Sequence, residues 1–381
     1  MIIKSIIIVL DTIKYLPNRM YKAWKLIYGP EGSKSYYPKI EKKNRVRMLF
    51  DNFLWILRKR EVNHFYFAYG LDCKHANPDE YLGVKECWDY FRKAVNSNAI
   101  DGVNMNYHCL LRDKLVFSMY VSGLGFPTPK TLAFGDKNGL VWVGTSEKVG
   151  FGSLLEKDGM DAFYKPLLGL GGKGIFPLKS INNKLFIENM EYSLAKFKDM
   201  IISNFIIQER IHQHESLLKL HPYSVNSIRA ITALYDGNPI LLFSIFRVGN
   251  NGCSVDNWSN GGIMIGIDSK TGKLNKYGYL KPGSGRRVIK HPETNIVFEN
   301  YQIPYFKQMK HLVITLHRYF YGIHSIAWDV AITETGPIVI EGNDEWGLAM
   351  PQILYGGIKS KYLSVYPKNL IKNQYIKIHE N

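Results

Sequence analysis

The sequence predicts an α+β chain: a basic, helical N-terminal region followed by strand-rich units that carry a polar site. Three observations predict this. The chain opens with a basic stretch whose apolar residues recur at helical spacing. A strand ending at Lys165 runs into a run of glycines. Near the C-terminus, two short apolar strands flank a Thr335-Gly336-Pro337 turn, with Asp329 on the first strand and Glu341 and Asn343 on the second.

Residues 1–70 read as basic, aromatic helices interrupted near Gly29–Pro38. Residues 1–60 hold fourteen Lys/Arg against four Asp/Glu, so ten of the net sixteen positive charges lie in this first sixth. The apolar run Ile6–Leu10 is too short to span a bilayer, and Lys4, Asp11 and Lys14 break it. No small-residue cleavage site follows. Up to Trp24, with Arg19, Lys22 and Lys25, the segment is an amphipathic basic helix. Such a helix either lies in an anionic membrane interface or packs its apolar face on its own domain.

Helix is expected over Asp79–Asn106, with Tyr81, Val84, Trp88 and Phe91 on one face, and again over Asp113–Leu124. Gly125-Phe-Pro-Thr-Pro129 turns the chain into a strand at Thr131–Phe134. Residues 140–207 alternate short strands and a helix. Strands follow at Ser227–Leu234, Ile240–Arg247 and Gly262–Ile267, then a helix over Tyr301–Tyr319 and the hairpin. The expected divisions are a helical region 1–110, a unit 111–207 containing a small lid, and a unit 208–381.

Positions 341 and 343 are two apart, so their side chains leave one face of a strand, and an antiparallel partner can bring Asp329 onto it. Three hard oxygen donors amid apolar neighbours form a candidate Mg²⁺ site. The alternative is a hairpin with solvated acids. In Gly169-Leu-Gly-Gly-Lys-Gly174, glycines let backbone N–H groups close on phosphate oxygens and Lys173 adds a mobile charge. The loop is neither a P-loop nor a dinucleotide fingerprint.

A lysine strand, a glycine loop and a distal Asp…Glu-x-Asn set, in this order, resemble the ATP-grasp superfamily. The resemblance runs from about Asp113 to Trp346 and is nearest to the sugar-transfer-associated ATP-grasp proteins of bacterial polysaccharide clusters. Tyr164-Lys165-Pro166, Ile206–Glu215, Val225–Thr232, Phe246–Gly249, Val255–Gly262 and the hairpin carry it. It implies two α+β subdomains gripping ATP. Lys165 would hold the α-phosphate, and Gly171, Gly172, Lys173 and Gly174 would fold over the triphosphate. Gln208, Glu209 and Ile211 would form the passage where backbone groups pair with adenine, and Glu215 would hold the ribose. Arg229 would face the transferred phosphate. Asp329, Glu341 and Asn343 would hold two Mg²⁺ ions. Asn257, Asn260, Gly261 and Gly262 would approach the acceptor. D-Alanine–D-alanine ligases carry an arginine two residues before the metal aspartate. Here that place is Ala327, so Arg229 or Arg247 would supply the charge.

The implied activity is an ATP-dependent carboxylate–amine ligase acting through an acylphosphate. It would join an amino acid or amine to a sugar acid, or to a nucleotide- or lipid-linked sugar, in surface polysaccharide synthesis. A different ATP-grasp chemistry, peptide tailoring or phosphoryl transfer, would use the same nucleotide site. A non-enzymatic basic scaffold is the third reading. No recognised nucleic-acid module is present, and the charge sits at one end. There is no Gly-x-Ser-x-Gly elbow and no His-Glu-x-x-His pair.

Cys73, Cys87, Cys109 and Cys253 form no Cys-x-x-Cys pair, so neither structural zinc nor a disulfide framework is expected, and the cytoplasm fits. His212, His214 and His221 read as hinge or substrate-edge residues rather than metal ligands. The basic loop Lys281–Arg287 either contacts a phosphate-bearing acceptor or is merely solvated.

Overall fold

Two seven-stranded antiparallel sheets form the body of the molecule, with helices packed around them. The structure, a computed structural model, describes residues 2–30, 34–88, 107–167, 173–253, 256, 258–320 and 322–366. Gly169, Gly171, Gly172 and Asn257, and the 89–106 part of the helix expected over Asp79–Asn106, lie outside the described residues.

The N-terminal region folds as α1 (Ile2–Tyr28) and α2 (Arg45–Lys59). Asn44 caps α2 by accepting the Arg47 N–H, and Arg60 ends it in the left-handed conformation. Tyr36, Trp55, Tyr66, Phe67, Tyr69 and Tyr81 gather into an aromatic core that also takes in Tyr279 and Ile353 from the far end of the chain. Among the described residues, no helix is long and apolar enough to cross a membrane.

The expected helix from Asp79 is broken. Pro78–Glu80 makes a single 3₁₀ turn, and helix resumes only at residue 84. Between them the Leu82 backbone is drawn to Gln352, whose Oε1 accepts the Leu82 N–H at 2.7 Å and whose Nε2 donates to the Leu82 carbonyl at 3.1 Å. This tertiary clasp outweighs helix periodicity.

The first sheet contains β1 (Thr131–Asp136), β2 (Gly139–Trp142), β3 (Met160–Pro166), β4 (Phe176–Ile181), β5 (Lys184–Ile187), β6 (Met190–Tyr192) and β7 (Phe205–Glu209), in the order β2-β1-β7-β3-β4-β5-β6. Two short helices, α3 (Cys109–Arg112) and α4 (Lys114–Gly123), precede it. Asp113 caps α4 through the Leu115 and Val116 N–H groups. Strand alternation sends Ala162 and Tyr164 into an aromatic core with Phe176, Phe197 and Phe205, and leaves Phe163 and Lys165 on the opposite face. A further helix, α5 (Leu194–Asp199), closes that core with Phe197.

The second sheet contains β8 (Ile228–Tyr235), β9 (Asn238–Val248), β10 (Ile263–Ile267), β11 (Leu274–Tyr279), β12 (Arg287–Val288), β13 (Ser325–Thr333) and β14 (Gly336–Asn343), in the order β12-β11-β10-β9-β8-β13-β14. The helix α6 (Glu215–Leu220) leads into it, and α7 (Phe306–His317) covers one face. Helix was expected from Tyr301. It starts at Phe306, because Pro304 disfavours helical geometry at Ile303, and the Tyr301 hydroxyl donates instead to the Ser216 carbonyl. All nine residues of β13 are buried. The other face of the sheet meets α8 (Ala349–Tyr355) and α9 (Lys359–Val365) at one end, through Ile231, Ala233, Phe243, Ala327, Tyr362 and Val365.

A buried polar chain fixes the strand next to the site. Trp328 Nε1 donates to Thr232 Oγ1 at 2.8 Å, the Thr232 hydroxyl donates to His317 Nδ1, and His317 Nε2 donates to the Ile323 carbonyl. Burial holds the His317 imidazole down to about 4, so it stays neutral and keeps this tautomer.

Candidate active site

Four neighbouring strands of the second sheet line up their charges. Asp329 on β13 pairs across to Glu341 on β14 and to Arg229 on β8. A bulge at Ile340 lies between the Val339 and Glu341 pairings, so Glu341 and Asn343 share the face of Asp329. Arg229 in turn faces Ile245 of β9, two residues from Arg247.

The side chains close the row. Arg229 donates from Nε to Asp329 Oδ1 and from Nη2 to Oδ2, both at 2.8 Å. Arg247 Nη2 stands 3.1 Å from Asp329 Oδ2. Burial alone would drive the Asp329 carboxyl upward, but the two guanidiniums outweigh it and hold it at about 2. Glu341 goes the other way: burial, then the adjacent Asp329 charge, raise its carboxyl above the ordinary glutamate value. Arg247 also reaches Asp256 Oδ1 at 3.4 Å and donates to Ser227 Oγ at 2.8 Å, while Asp256 accepts the Ser227 N–H and hydroxyl. These acids raise the Arg247 guanidinium despite its burial.

The first sheet supplies a second polar group. Lys165 Nζ donates to Gln208 Oε1 at 2.8 Å, and Gln208 Nε2 is aimed by Ser118 Oγ at 3.2 Å and Thr131 Oγ1 at 3.3 Å. Desolvation pulls the Lys165 ammonium down to about 8; Glu341 opposes this and Lys114 adds to it. The Glu341 carboxylate is therefore within electrostatic reach of Lys165. On the Lys165 side of the first sheet, Pro177, Lys179, Phe186, Glu188, Asn189 and Arg210 line a cavity of about 170 Å³. Arg210 lies over the Phe163 ring there, 5.4 Å from its centroid.

Asp329, Glu341 and Asn343 fit a Mg²⁺ ion chemically. They are hard oxygen donors on one face. Arg229 engages both Asp329 oxygens and Arg247 engages Oδ2 as well, so the acceptor position left open is on Oδ1. Asn343 Nδ2 donates to the Ala327 carbonyl at 3.4 Å, which leaves its Oδ1 as the ligating atom. The Asp329–Glu341 crowding that raises Glu341 is relieved by a divalent cation.

The remaining predicted positions are dispersed. Lys173 and Gly174 are exposed at the start of β4, and Gly174 takes a positive φ of 75°. Glu209 is exposed at the end of β7, and Ile211 is half-buried beyond it. Glu215 lies at the far end of the hairpin. Its N–H donates to Glu334 Oε1 at 2.6 Å and its carboxylate pairs with Lys219 at 2.9 Å. Five strand residues, roughly 16 Å, separate that end from Asp329. Asn260 and Gly261 follow Asp256 on the loop before β10, where the Gly261 carbonyl accepts from Asn250 Nδ2 at 3.3 Å, and Gly262 is buried at its end. The residues not foreseen as site members are Asp256, Ser227, Ser118, Lys114 and Asp344. Asp344 follows Asn343 and is clamped by Arg112 and His108. Asp256 and Ser227 fall in stretches that carry the resemblance, but only the fold brings them to Arg247, as it alone joins Ser118, Lys114 and Asp344 to the site.

A family profile described as sugar-transfer associated ATP-grasp matches residues 96–364. No curated protein matches the chain. Among solved structures, the chain is similar to the D-alanine–D-alanine ligase from Bacillus anthracis, at 14% identity over 71% of this chain and 67% of that one, with a TM-score of 0.38. It is similar to the VanG D-Ala:D-Ser ligase from Enterococcus faecalis at 15% identity, over 68% and 63%, with a TM-score of 0.40. For the N5-carboxyaminoimidazole ribonucleotide synthetase from Thermotoga maritima the identity is 11%, the TM-score 0.34, and the chain spans 43% of that protein's length.

Proposed function

The chain belongs to the sugar-transfer associated ATP-grasp family, and from that premise we propose that it is an ATP-dependent ligase joining a carboxylate to an amine. The observation that carries this reading is the row Arg247–Arg229–Asp329–Glu341, with Lys165 of the first sheet within electrostatic reach of Glu341. It is a site for anionic phosphate flanked by metal-binding acids.

In this reading, a carboxylate oxygen attacks the γ-phosphorus of ATP, the β–γ bridging bond breaks, and ADP leaves. The amine nitrogen then attacks the acyl carbon, phosphate departs with the bonding pair, and the nitrogen loses a proton. No protein nucleophile is needed, and catalysis is positioning and charge neutralisation. Lys165 binds the phosphates, held in place by Gln208. Arg229 and Arg247 neutralise the transferred phosphoryl group and the developing oxyanion. Asp329, Glu341 and Asn343 would hold Mg²⁺, one or two ions, which supplies Lewis-acid neutralisation of phosphate oxygens. The adenine would occupy the cavity beside Arg210, next to the Gln208–Ile211 passage. The loop carrying Asn260, Gly261 and Gly262 would meet the acceptor.

The donor acid is a sugar acid or sugar-linked group and the acceptor an amino acid or amine, within surface polysaccharide synthesis. The family's sugar-transfer association supports this. The protein would work in the cytoplasm at the inner membrane face, where exposed Tyr21, Trp24 and Tyr28 stack along the basic helix α1. Mg-ATP turnover tests the reading with pooled amino acids and nucleotide-linked uronic acids, products being read by mass. An amide mass gain with ADP supports it; a phosphate ester would assign the chain to phosphoryl transfer instead.

A further inference from the structure

A second donor set lies outside this site. His221 at the end of α6, His291, and Glu293 bring one ligating atom each to within 4.8 Å of one another. Both imidazoles are fully buried, while the Glu293 side chain is 36% exposed, enough to admit water from one side.

The hydrogen bonds fix which nitrogens face inward. His221 Nε2 is 3.0 Å from the Cys253 carbonyl, and His291 Nε2 is 2.9 Å from the Gly249 carbonyl. A carbonyl only accepts, so both Nε2 atoms carry hydrogen. In neutral rings the lone pairs are then on Nδ1. His221 Nδ1 stands 3.1 Å from Glu293 Oε2. Two lone pairs at that distance repel unless a positive centre lies between them. His291 Nδ1 meets only the long N–H contacts of Glu293 and Thr294, at 3.3 and 3.5 Å, which commit its lone pair weakly. Histidines that hold metals donate their second ring N–H to a carbonyl or carboxylate, as both do here.

We propose that His221, His291 and Glu293 form a binding site for a divalent transition cation of the zinc type, with water in the fourth position. Two imidazoles and a carboxylate suit such an ion and not Mg²⁺. Ligand atoms around tetrahedral zinc stand roughly 3.4 Å apart. The His221–Glu293 pair, at 3.1 Å, is close to that spacing, and the three ligand atoms span no more than 4.8 Å. The role is structural. Glu293 Oε1 accepts the Gly252 N–H at 3.0 Å, and the two imidazoles hold the Gly249 and Cys253 carbonyls. The ion would therefore pin the start of the loop that delivers Asp256 to Arg247. Gly249 fits there because a Cβ would come within 2.3 Å of the His221 ring.

The test is elemental analysis of the full chain purified without chelators, together with thermal unfolding during titration with Zn²⁺ alone. Glu293→Gln is the informative variant, because it keeps the Gly252 contact and removes only the charge, while the buried histidines are harder to replace without unfolding. The site predicts about one zinc per chain. It also predicts a saturable rise in Tm on adding Zn²⁺ to chelator-stripped protein that Mg²⁺ does not reproduce, and a weakening of both in Glu293→Gln. Glu341→Gln should retain the zinc, so this result stands apart from the ligase reading. Stripped protein that takes up no zinc and shows no zinc-dependent shift would overturn the proposal. The positive centre between His221 and Glu293 would then be a proton.

Discussion

Arg229 on β8 grips both oxygens of Asp329 on β13, from Nε and Nη2 at 2.8 Å each. The pair is nearly sealed, with 14% and 4% of the two side chains exposed. The same arginine therefore orients a candidate metal ligand and, in the proposed reaction, would face the phosphoryl group.

Replacing Arg229 separates these roles. Arg229→Ala leaves a buried carboxylate with Arg247 as its remaining cation, and unpairing a buried ion pair costs about 3–5 kcal/mol. Arg229→Lys restores charge without the planar fork. Calorimetry should give a large drop in Tm for the alanine variant and a smaller one for lysine. Both should lose about 10²–10³ in kcat/KM for ATP-dependent turnover. An alanine variant with wild-type Tm would deny the pair its structural role.

Acid titration should expose Asp329. Its folded carboxyl ionises at about 2, below an unfolded aspartate at about 4, so its contribution to stability is complete above pH 4 and is lost as pH falls toward 2. Asp329→Asn should flatten that limb of a Tm-against-pH curve.

Glu341 carries the opposite sign. A raised carboxyl binds its proton more tightly in the folded chain, so the ionised form costs stability above the unfolded glutamate value. Glu341→Gln should therefore raise the Tm of nucleotide-free protein at neutral pH while abolishing Mg-ATP turnover. A fall in Tm together with retained turnover would contradict both halves.

Lys165 titrates at about 8 in the free chain, so ATP binding should weaken as pH rises through that value. Gln208→Glu places a carboxylate 2.8 Å from the ammonium. It should carry the weakening to higher pH, measured as ATP Kd against pH by calorimetry. Lys165→Met should bind ATP weakly at every pH.

On α1, Trp24 is 50% exposed between exposed Tyr21 and Tyr28, with Lys22 and Lys25 beside it. Anionic vesicles should pull down the wild-type chain at low salt and release it at high salt. Trp24→Ala with Tyr28→Ala should weaken the pull-down without changing turnover of soluble substrates. Equal sedimentation with neutral and anionic vesicles would deny the electrostatic part.

Much of the β architecture was legible because period-two alternation with turn chemistry is local. The Asp329–Glu341–Asn343 face followed from strand geometry, and helix α4 was expected over Asp113–Leu124, where Asp113 proves to be its cap. Long-range pairings left no local trace. Leu82 is held by Gln352 and breaks a helix that periodicity alone supports. His221 and His291 meet across seventy residues, so the sequence groups His221 with His212 and His214 instead. His214 caps α6 by accepting the Ser216 N–H, while His212 is exposed. The Glu215 role was carried over by spacing, and its surroundings at the hairpin turn were set by tertiary packing.

Substrate-dependent ADP release tests the central claim most directly, with products identified by mass and Glu341→Gln as control. The account predicts ADP, phosphate and a new amide from one acid–amine pair in the pool, absent in the variant. ATP hydrolysis that yields no amide from any acid and amine, or turnover that survives in Glu341→Gln, would contradict it.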